Sequence, residues 1–167
     1  MAPYVTVLVL ALVAILQSTI TPHVRLVGAS PNLVLLYTVS CVLSQGVGEG
    51  IFVALVGGLM LDALSGAPFG VATLALVVVS LVAGLGEFNV FRAARFLPYA
   101  TITLTTFVYN VMVLFSLQMT GHVVIWGASL WRAVLPAMLV NLVCMPVVYG
   151  LACWLHKRRG PRPVEWQ

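Results

Sequence analysis

Long apolar runs follow one another along almost the entire sequence, and no polar stretch between them is long enough to form a soluble domain. Hydrophobic residues make up 62% and charged residues 7% of the 167-residue chain, against about 45–50% and about 25% in typical soluble domains. Too few polar side chains remain to cover a surface that faces water. These proportions exclude a soluble globular domain, a disordered chain, a coiled coil and a disulfide scaffold, and they predict a polytopic membrane protein.

Six of the runs have lengths near the roughly 20 residues that a helix needs to cross a bilayer. We therefore predict an all-α membrane protein with six transmembrane helices. They form one domain over 1–159, and a short cytoplasmic tail covers 160–167. The third run is the shortest, so a re-entrant segment remains an alternative there. The predicted spans are 4–21, 31–47, 50–64, 68–86, 98–119 and 130–155.

Glycine and proline mark the predicted turns between these spans. The glycine-rich segment 46–50 separates spans two and three, and Gly66 with Pro68 separates spans three and four. The last long apolar stretch exceeds the length of one span. Breaks at Gly121 and at 127–129 divide it into a helical hairpin.

The basic residues predict the orientation. With the N-terminus in the cytoplasm, two basic residues, Arg25 and Arg132, lie outside and six lie inside. This asymmetry follows the positive-inside rule and predicts an N-in/C-in topology. Charges placed at span ends do not indicate a nucleic-acid surface. The six inner residues are Arg92, Arg95, Lys157, Arg158, Arg159 and Arg162.

The segment between spans four and five interleaves aromatic and basic side chains: Phe88, Phe91, Arg92 and Arg95. Rings in the headgroup zone and arginines on anionic lipid are typical of a membrane interface. A docking surface for a cytoplasmic partner is the alternative. Both interpretations stay open from the sequence.

Small residues repeat every four positions in span three, at Gly50, Ala54 and Gly58, and the series ends at Asp62. This spacing places them on one helical face, where another backbone can approach closely. An acid at membrane depth raises a functional hypothesis, here proton or cation coupling. The alternative is a structural carboxylate that accepts hydrogen bonds from loop N–H groups or pairs with an arginine.

No catalytic or metal-binding pattern accompanies this acid. The three histidines lie far apart in sequence, and the three cysteines lie inside apolar runs without metal-site spacing. The chain has no phosphate-binding glycine motif and no nucleophile with a supporting base. We therefore predict a non-enzyme without a cofactor.

Polar residues with helical spacing form two stripes, one in span two and one in span five. Each stripe predicts either interhelical hydrogen bonds or one wall of a polar substrate cavity. Proline and asparagine in the last span, at Pro136, Asn141 and Pro146, predict a kink whose freed carbonyls need partners. The stripes are Tyr37, Ser40 and Ser44 in span two, and Tyr99, Thr103, Thr106 and Asn110 in span five.

Two motifs resemble those of the MreD family, the rod shape-determining membrane proteins of bacteria. Span two opens with Pro-Asn followed by aliphatic residues, and spans three and four are joined by the pattern G-x-x-x-D-x-x-S-G-x-x-x-G. The size, the short loops, the N-in topology and the basic C-terminus also fit. The matching positions are Pro31, Asn32, Gly58, Asp62, Ser65, Gly66 and Gly70.

The resemblance implies a non-enzymatic scaffold of the elongasome in the bacterial inner membrane. MreD-like proteins bind MreC and act with the glycosyltransferase RodA, its class B penicillin-binding transpeptidase and, indirectly, the MreB filament. Their fold is similar to that of the substrate-binding S components of energy-coupling-factor transporters. The alternative function is therefore an S component that binds a vitamin-type small molecule, with the polar stripes as its site.

Overall fold

Every element that the structure describes is helical. The computed structural model describes residues 3–20, 30–66, 68–87, 97–121 and 126–157. The predicted interface at Phe88, Phe91, Arg92 and Arg95 and the predicted tail at 160–167 lie outside these residues. The helices are α1 (Pro3–Ile20), α2 (Leu33–Gln45), α3 (Val47–Leu64), α4 (Val71–Glu87), α5 (Leu97–Met119), α6 (Trp126–Ser129), a π-helical turn (Leu130–Val134) and α7 (Leu135–Lys157).

Each of the six apolar runs contains a helix. The predicted turn at 46–50 is shorter than expected, and the predicted break at 127–129 is wrong. Gly46 alone separates α2 from α3, because its positive φ of 94° turns the chain within one residue. The rest of 46–50 belongs to α3. Residues 127–129 are helical as well, so α6, the π-helical turn and α7 run without interruption. Among lipid, the need to pair every backbone group outweighs the weak helix propensity of glycine.

Three helical stretches in the described part of the chain are long and apolar enough to cross a membrane: Val47–Leu64, Pro98–Met119 and Trp126–Cys153. Three shorter apolar helices accompany them: Tyr4–Thr19, Leu33–Gln45 and Val71–Leu85. The outward face of α7 is apolar, with side chains exposed at every fourth position. These are Leu139, Val143, Val147 and Leu151, each more than half exposed. Such a face suits lipid rather than water.

The central element of the bundle is α2. Every residue from Val34 to Val42 is buried, and α2 contacts α1, α3, α4, α5 and α7. A helix that is buried on all sides has no face toward water, which agrees with the absence of charged residues from its sequence. With 13 residues it is about 20 Å long, less than the roughly 30 Å of a bilayer core.

The small-residue face of α3 packs inside the bundle. A Cβ added at Gly58 would collide with the Cα of Thr73 on α4, and one added at Gly50 would collide with the side chain of Val42 on α2. Ala54, between them, is fully buried. α3 is therefore held between α2 and α4 at contacts that leave no room for a larger side chain.

The contact at Gly58 gives a direct test of this packing. Replacing Gly58 with Ala drives a methyl group against backbone atoms of α4, which cannot rotate away. We expect Gly58→Ala to lower the free energy of unfolding of the bundle by about 1–3 kcal/mol. We expect Gly58→Leu to prevent α3 from packing against α4. Thermal unfolding in mild detergent measures both.

Gly48→Ala is the matched control, because Gly48 lies on the same helix with nothing near its Cβ position. We expect this control to unfold at or above the wild-type temperature, since alanine favours helix more than glycine does. Equal effects at the two positions contradict the close contact.

Candidate functional site: capped helix starts at one end of the bundle

Asp62 connects the last turn of α3 to the first turn of α4. Its Oδ1 accepts a hydrogen bond from the N–H of Ala72 at 2.9 Å. Its Oδ2 accepts from the N–H of Thr73 at 3.0 Å and from the Thr73 hydroxyl at 2.6 Å. The carboxylate is 3% exposed. One side chain thus pairs two of the N–H groups that the start of α4 leaves without helical partners.

The rest of the glycine motif builds the turn that brings these groups together. Gly58 lies one turn before Asp62 on the same face, and its missing side chain lets the backbone of Thr73 approach. Ser65 ends α3 by donating its N–H to the Leu61 carbonyl at 2.7 Å. Gly70 then takes a positive φ of 98° immediately before α4, a conformation that favours glycine.

Both oxygens of the carboxylate are engaged by donors at the start of a helix. The start of a helix carries partial positive charge, and N–H and O–H donors to a carboxylate form strong hydrogen bonds. The expectation that Asp62 accepts backbone N–H bonds holds, but the donors lie in α4 rather than in a loop. With both oxygens engaged by fixed donors, the geometry favours a structural role over proton or cation coupling.

The start of α2 is paired in the same way, by side chains from α7 and α1 and by the residue that precedes α2. The N–H of Asn32 donates to Asn141 Oδ1 on α7 at 3.0 Å, and the N–H of Val34 donates to Gln17 Oε1 on α1 at 3.0 Å. The N–H of Leu35 donates to Asn32 Oδ1 at 3.1 Å. The motif residue Asn32 is therefore the N-cap of α2.

A polar contact extends this cap into α5. The Asn141 amide donates to the Thr106 hydroxyl at 3.2 Å in a buried position. Thr106 and Asn141 lie near the middles of α5 and of the continuous α6–α7 helix. The start of α2 consequently lies level with the centres of the two longest helices, far from their ends.

Of the two polar stripes, the one in span five forms an interhelical hydrogen bond, at Thr106, whereas other members of both stripes bond within their own helices. Ser40 and Ser44 donate to carbonyls four residues earlier in α2, at 2.7 Å each. Thr103 donates to its own helix in the same way at 2.8 Å. A hydroxyl in an apolar helix finds its nearest acceptor in the preceding turn. Thr106 is the member of these stripes whose hydroxyl contacts another helix.

The two grooves that these stripes border are lined mainly by apolar side chains. Tyr37 lines an apolar groove between α1, α2 and α7. Tyr99 and Thr103 border an open groove between α5 and α7, beside Leu104 and Phe107. The Thr103 hydroxyl is already engaged by its own helix. The surroundings of both stripes favour apolar contacts over a polar substrate.

Sequence reasoning missed two members of these caps. Gln17 is the first of three consecutive polar residues in the last turn of α1, and Thr73 is a hydroxyl residue in the first turn of α4. Both positions are typical of capping side chains, but only the fold tells which helix start Gln17 reaches. Among the described residues, no group of three or more His, Cys, Asp or Glu is placed to hold a metal ion.

The two sequence motifs that resemble the MreD family lie at the starts of α2 and α4, where side chains pair the first N–H groups of each helix. The family model for rod shape-determining protein MreD matches residues 1–154. The chain belongs to the MreD family. Comparison with curated proteins and with solved structures found no match.

Membership of the MreD family implies a role in determining rod shape. It also agrees with the long apolar helices in identifying a membrane protein. MreD is a family of shape-determining membrane proteins and not a known enzyme family. In this member, the family motifs lie where one helix ends and the next begins.

Substitutions at Asp62 separate hydrogen bonding from charge. Asp62→Leu leaves two N–H groups and a hydroxyl without acceptors, so we expect a loss of about 3 kcal/mol of unfolding free energy. Asp62→Asn keeps an amide oxygen and is expected to cost about 1 kcal/mol. Unfolding in lipid nanodiscs measures both changes.

Thr73→Val is the control, because it removes only the hydroxyl donor to Asp62. We expect its cost to match that of Asp62→Asn. If Asp62→Asn is as damaging as Asp62→Leu, the site requires a charge and the structural interpretation is wrong.

Proposed function

We propose that this MreD family member is a non-enzymatic membrane scaffold of the elongasome. In this proposal it binds MreC and supports peptidoglycan synthesis by RodA and its class B penicillin-binding transpeptidase, with an indirect link to MreB. The observation that carries the proposal is the family match over residues 1–154. Within the role in rod shape determination, we propose that the chain holds these synthases together.

The internal packing supports a scaffold because a binding surface for helices must hold its shape. Lipid supplies no hydrophobic force between helices, so partners are selected by close packing. Gly50 and Gly58 fix α3 against its neighbours without space for larger side chains. Every buried side-chain nitrogen or oxygen in the described residues has a hydrogen-bond partner. Such a core resists deformation when another helix packs on the outside.

We also propose the finer topology. The chain crosses the bacterial inner membrane six times with both termini in the cytoplasm, and its fold is similar to that of S components. In this orientation the capped starts of α2 and α4 face the periplasmic half of the membrane. The basic residues at the predicted inner ends support the orientation.

Co-purification from the native host tests the function. The tagged full-length chain is extracted in mild detergent, and its partners are identified by mass spectrometry. We expect recovery of MreC together with RodA and the transpeptidase. The Gly58→Leu variant is expected to lose all three, whereas Gly48→Ala retains them, because only the first disturbs the packing of α3 against α4.

Recovery of paired ATPases with a coupling subunit, and without MreC, contradicts the scaffold and indicates an S component. Normal recovery of MreC by a folded Gly58→Leu variant contradicts the link between the close contact and assembly.

A further inference from the structure

An apolar groove separates α1 from α7 on the outside of the bundle. The two helices do not contact each other in the described part of the chain, although both contact α2. The groove has a volume of about 190 Å³. Its floor is formed by α2 and its walls by α1 and α7. The main lining residues are Leu33 and Tyr37 on the floor, Val9 and Val13 on one wall, and Val148 and Ala152 on the other.

The dimensions of the groove select its occupant. A helix with side chains is about 10 Å across, and a groove of about 190 Å³ is too small to admit one. Along α1 the lining runs from Val9 to Leu16, which is about 10 Å at 1.5 Å per residue. One leaflet of the hydrocarbon core is about 15 Å thick. A single acyl chain lying along the membrane normal fits the width, and the groove covers about two thirds of the thickness of one leaflet.

Charge at one end of the groove selects the lipid class. The wall formed by α7 ends at Ala152, five residues before Lys157, the last residue of the helix. That distance is about 7.5 Å along the axis. In the sequence, Arg158 and Arg159 follow directly. α7 therefore ends beyond the groove at a basic residue, and the sequence continues with two more; a basic run of this kind favours the phosphate of an anionic headgroup.

We propose that the groove between α1 and α7 binds one acyl chain of an anionic phospholipid, with its headgroup beside the C-terminal end of α7. The chain lies on Tyr37 and Leu33 and fills the gap between the two helices. α1 packs on α2 and α3 within the described bundle, so the bound lipid supplies its contact with α7. The position of α1 then depends on the lipid composition of the membrane.

Native mass spectrometry of the purified full-length chain tests this site. The probes are synthetic phosphatidylglycerol and phosphatidylcholine with identical acyl chains. We expect one retained phosphatidylglycerol and weaker retention of phosphatidylcholine. Lys157→Gln is expected to lower affinity for phosphatidylglycerol roughly fivefold and to leave phosphatidylcholine unchanged, since one basic residue near the headgroup is lost.

Filling the groove tests the place of the acyl chain. We expect Ala152→Phe, on the α7 wall, to weaken phosphatidylglycerol binding at least about tenfold because the added ring occupies the chain's volume. Val147→Phe is the matched control on the same helix, because Val147 is 71% exposed and outside the groove. Val9→Phe fills the groove from the α1 side. It serves as the test variant if circular dichroism shows that Ala152→Phe is unfolded.

Three results overturn the proposal. The first is wild-type lipid binding by both groove-filling variants, and the second is equal retention of the two phospholipids by the wild-type chain. The third is the release of a co-purified polypeptide by Ala152→Phe while lipid retention stays constant, which assigns the groove to a protein partner.

Discussion

A backbone N–H group that faces hydrocarbon without a partner costs several kcal/mol, and α2 and α4 both begin within the bundle. α2 has only 13 residues, and it starts level with the centres of α5 and of the continuous α6–α7 helix. Side chains of α1 and α7 pair the N–H groups at its start, through Gln17 and Asn141. Asp62 pairs those at the start of α4. These contacts allow short helices inside a membrane bundle.

The glycine contacts follow from the same requirement. Asp62 reaches the start of α4 only because Gly58 admits the backbone of Thr73 one turn earlier. A small residue and an acid four positions apart therefore act together. The small residue lets α3 and α4 pack closely, and the acid pairs the N–H groups at the start of α4. This explains in physical terms why the family motif links these positions across a turn. A bundle fixed in this way presents a constant outer surface, as a scaffold for other membrane helices needs.

Periodicity and composition predicted the helical membrane fold and the buried face at Gly50, Ala54 and Gly58, because helix spacing and the aversion of lipid for polar groups act locally. The partners of Gln17 and Asn141 were not predictable. They join α1 to α2 and α7 to α2, and such pairings depend on how the bundle closes. The stripes of hydroxyl residues predicted more interhelical hydrogen bonds than the structure contains among its described residues. Spacing cannot tell whether Ser40 bonds across helices or to its own preceding turn.

The central claim is that side chains of neighbouring helices stabilise the start of α2 within the membrane. The most direct measurement compares the unfolding free energies of Gln17→Leu, Asn141→Leu and Asn110→Leu in lipid nanodiscs. Asn110 donates only within its own helix in the described contacts, so its loss leaves no N–H of α2 unpaired. We predict losses of about 1–3 kcal/mol for the first two variants and little change for the third. Equal effects, or a gain in stability from replacing Gln17 or Asn141 with leucine, would contradict the account.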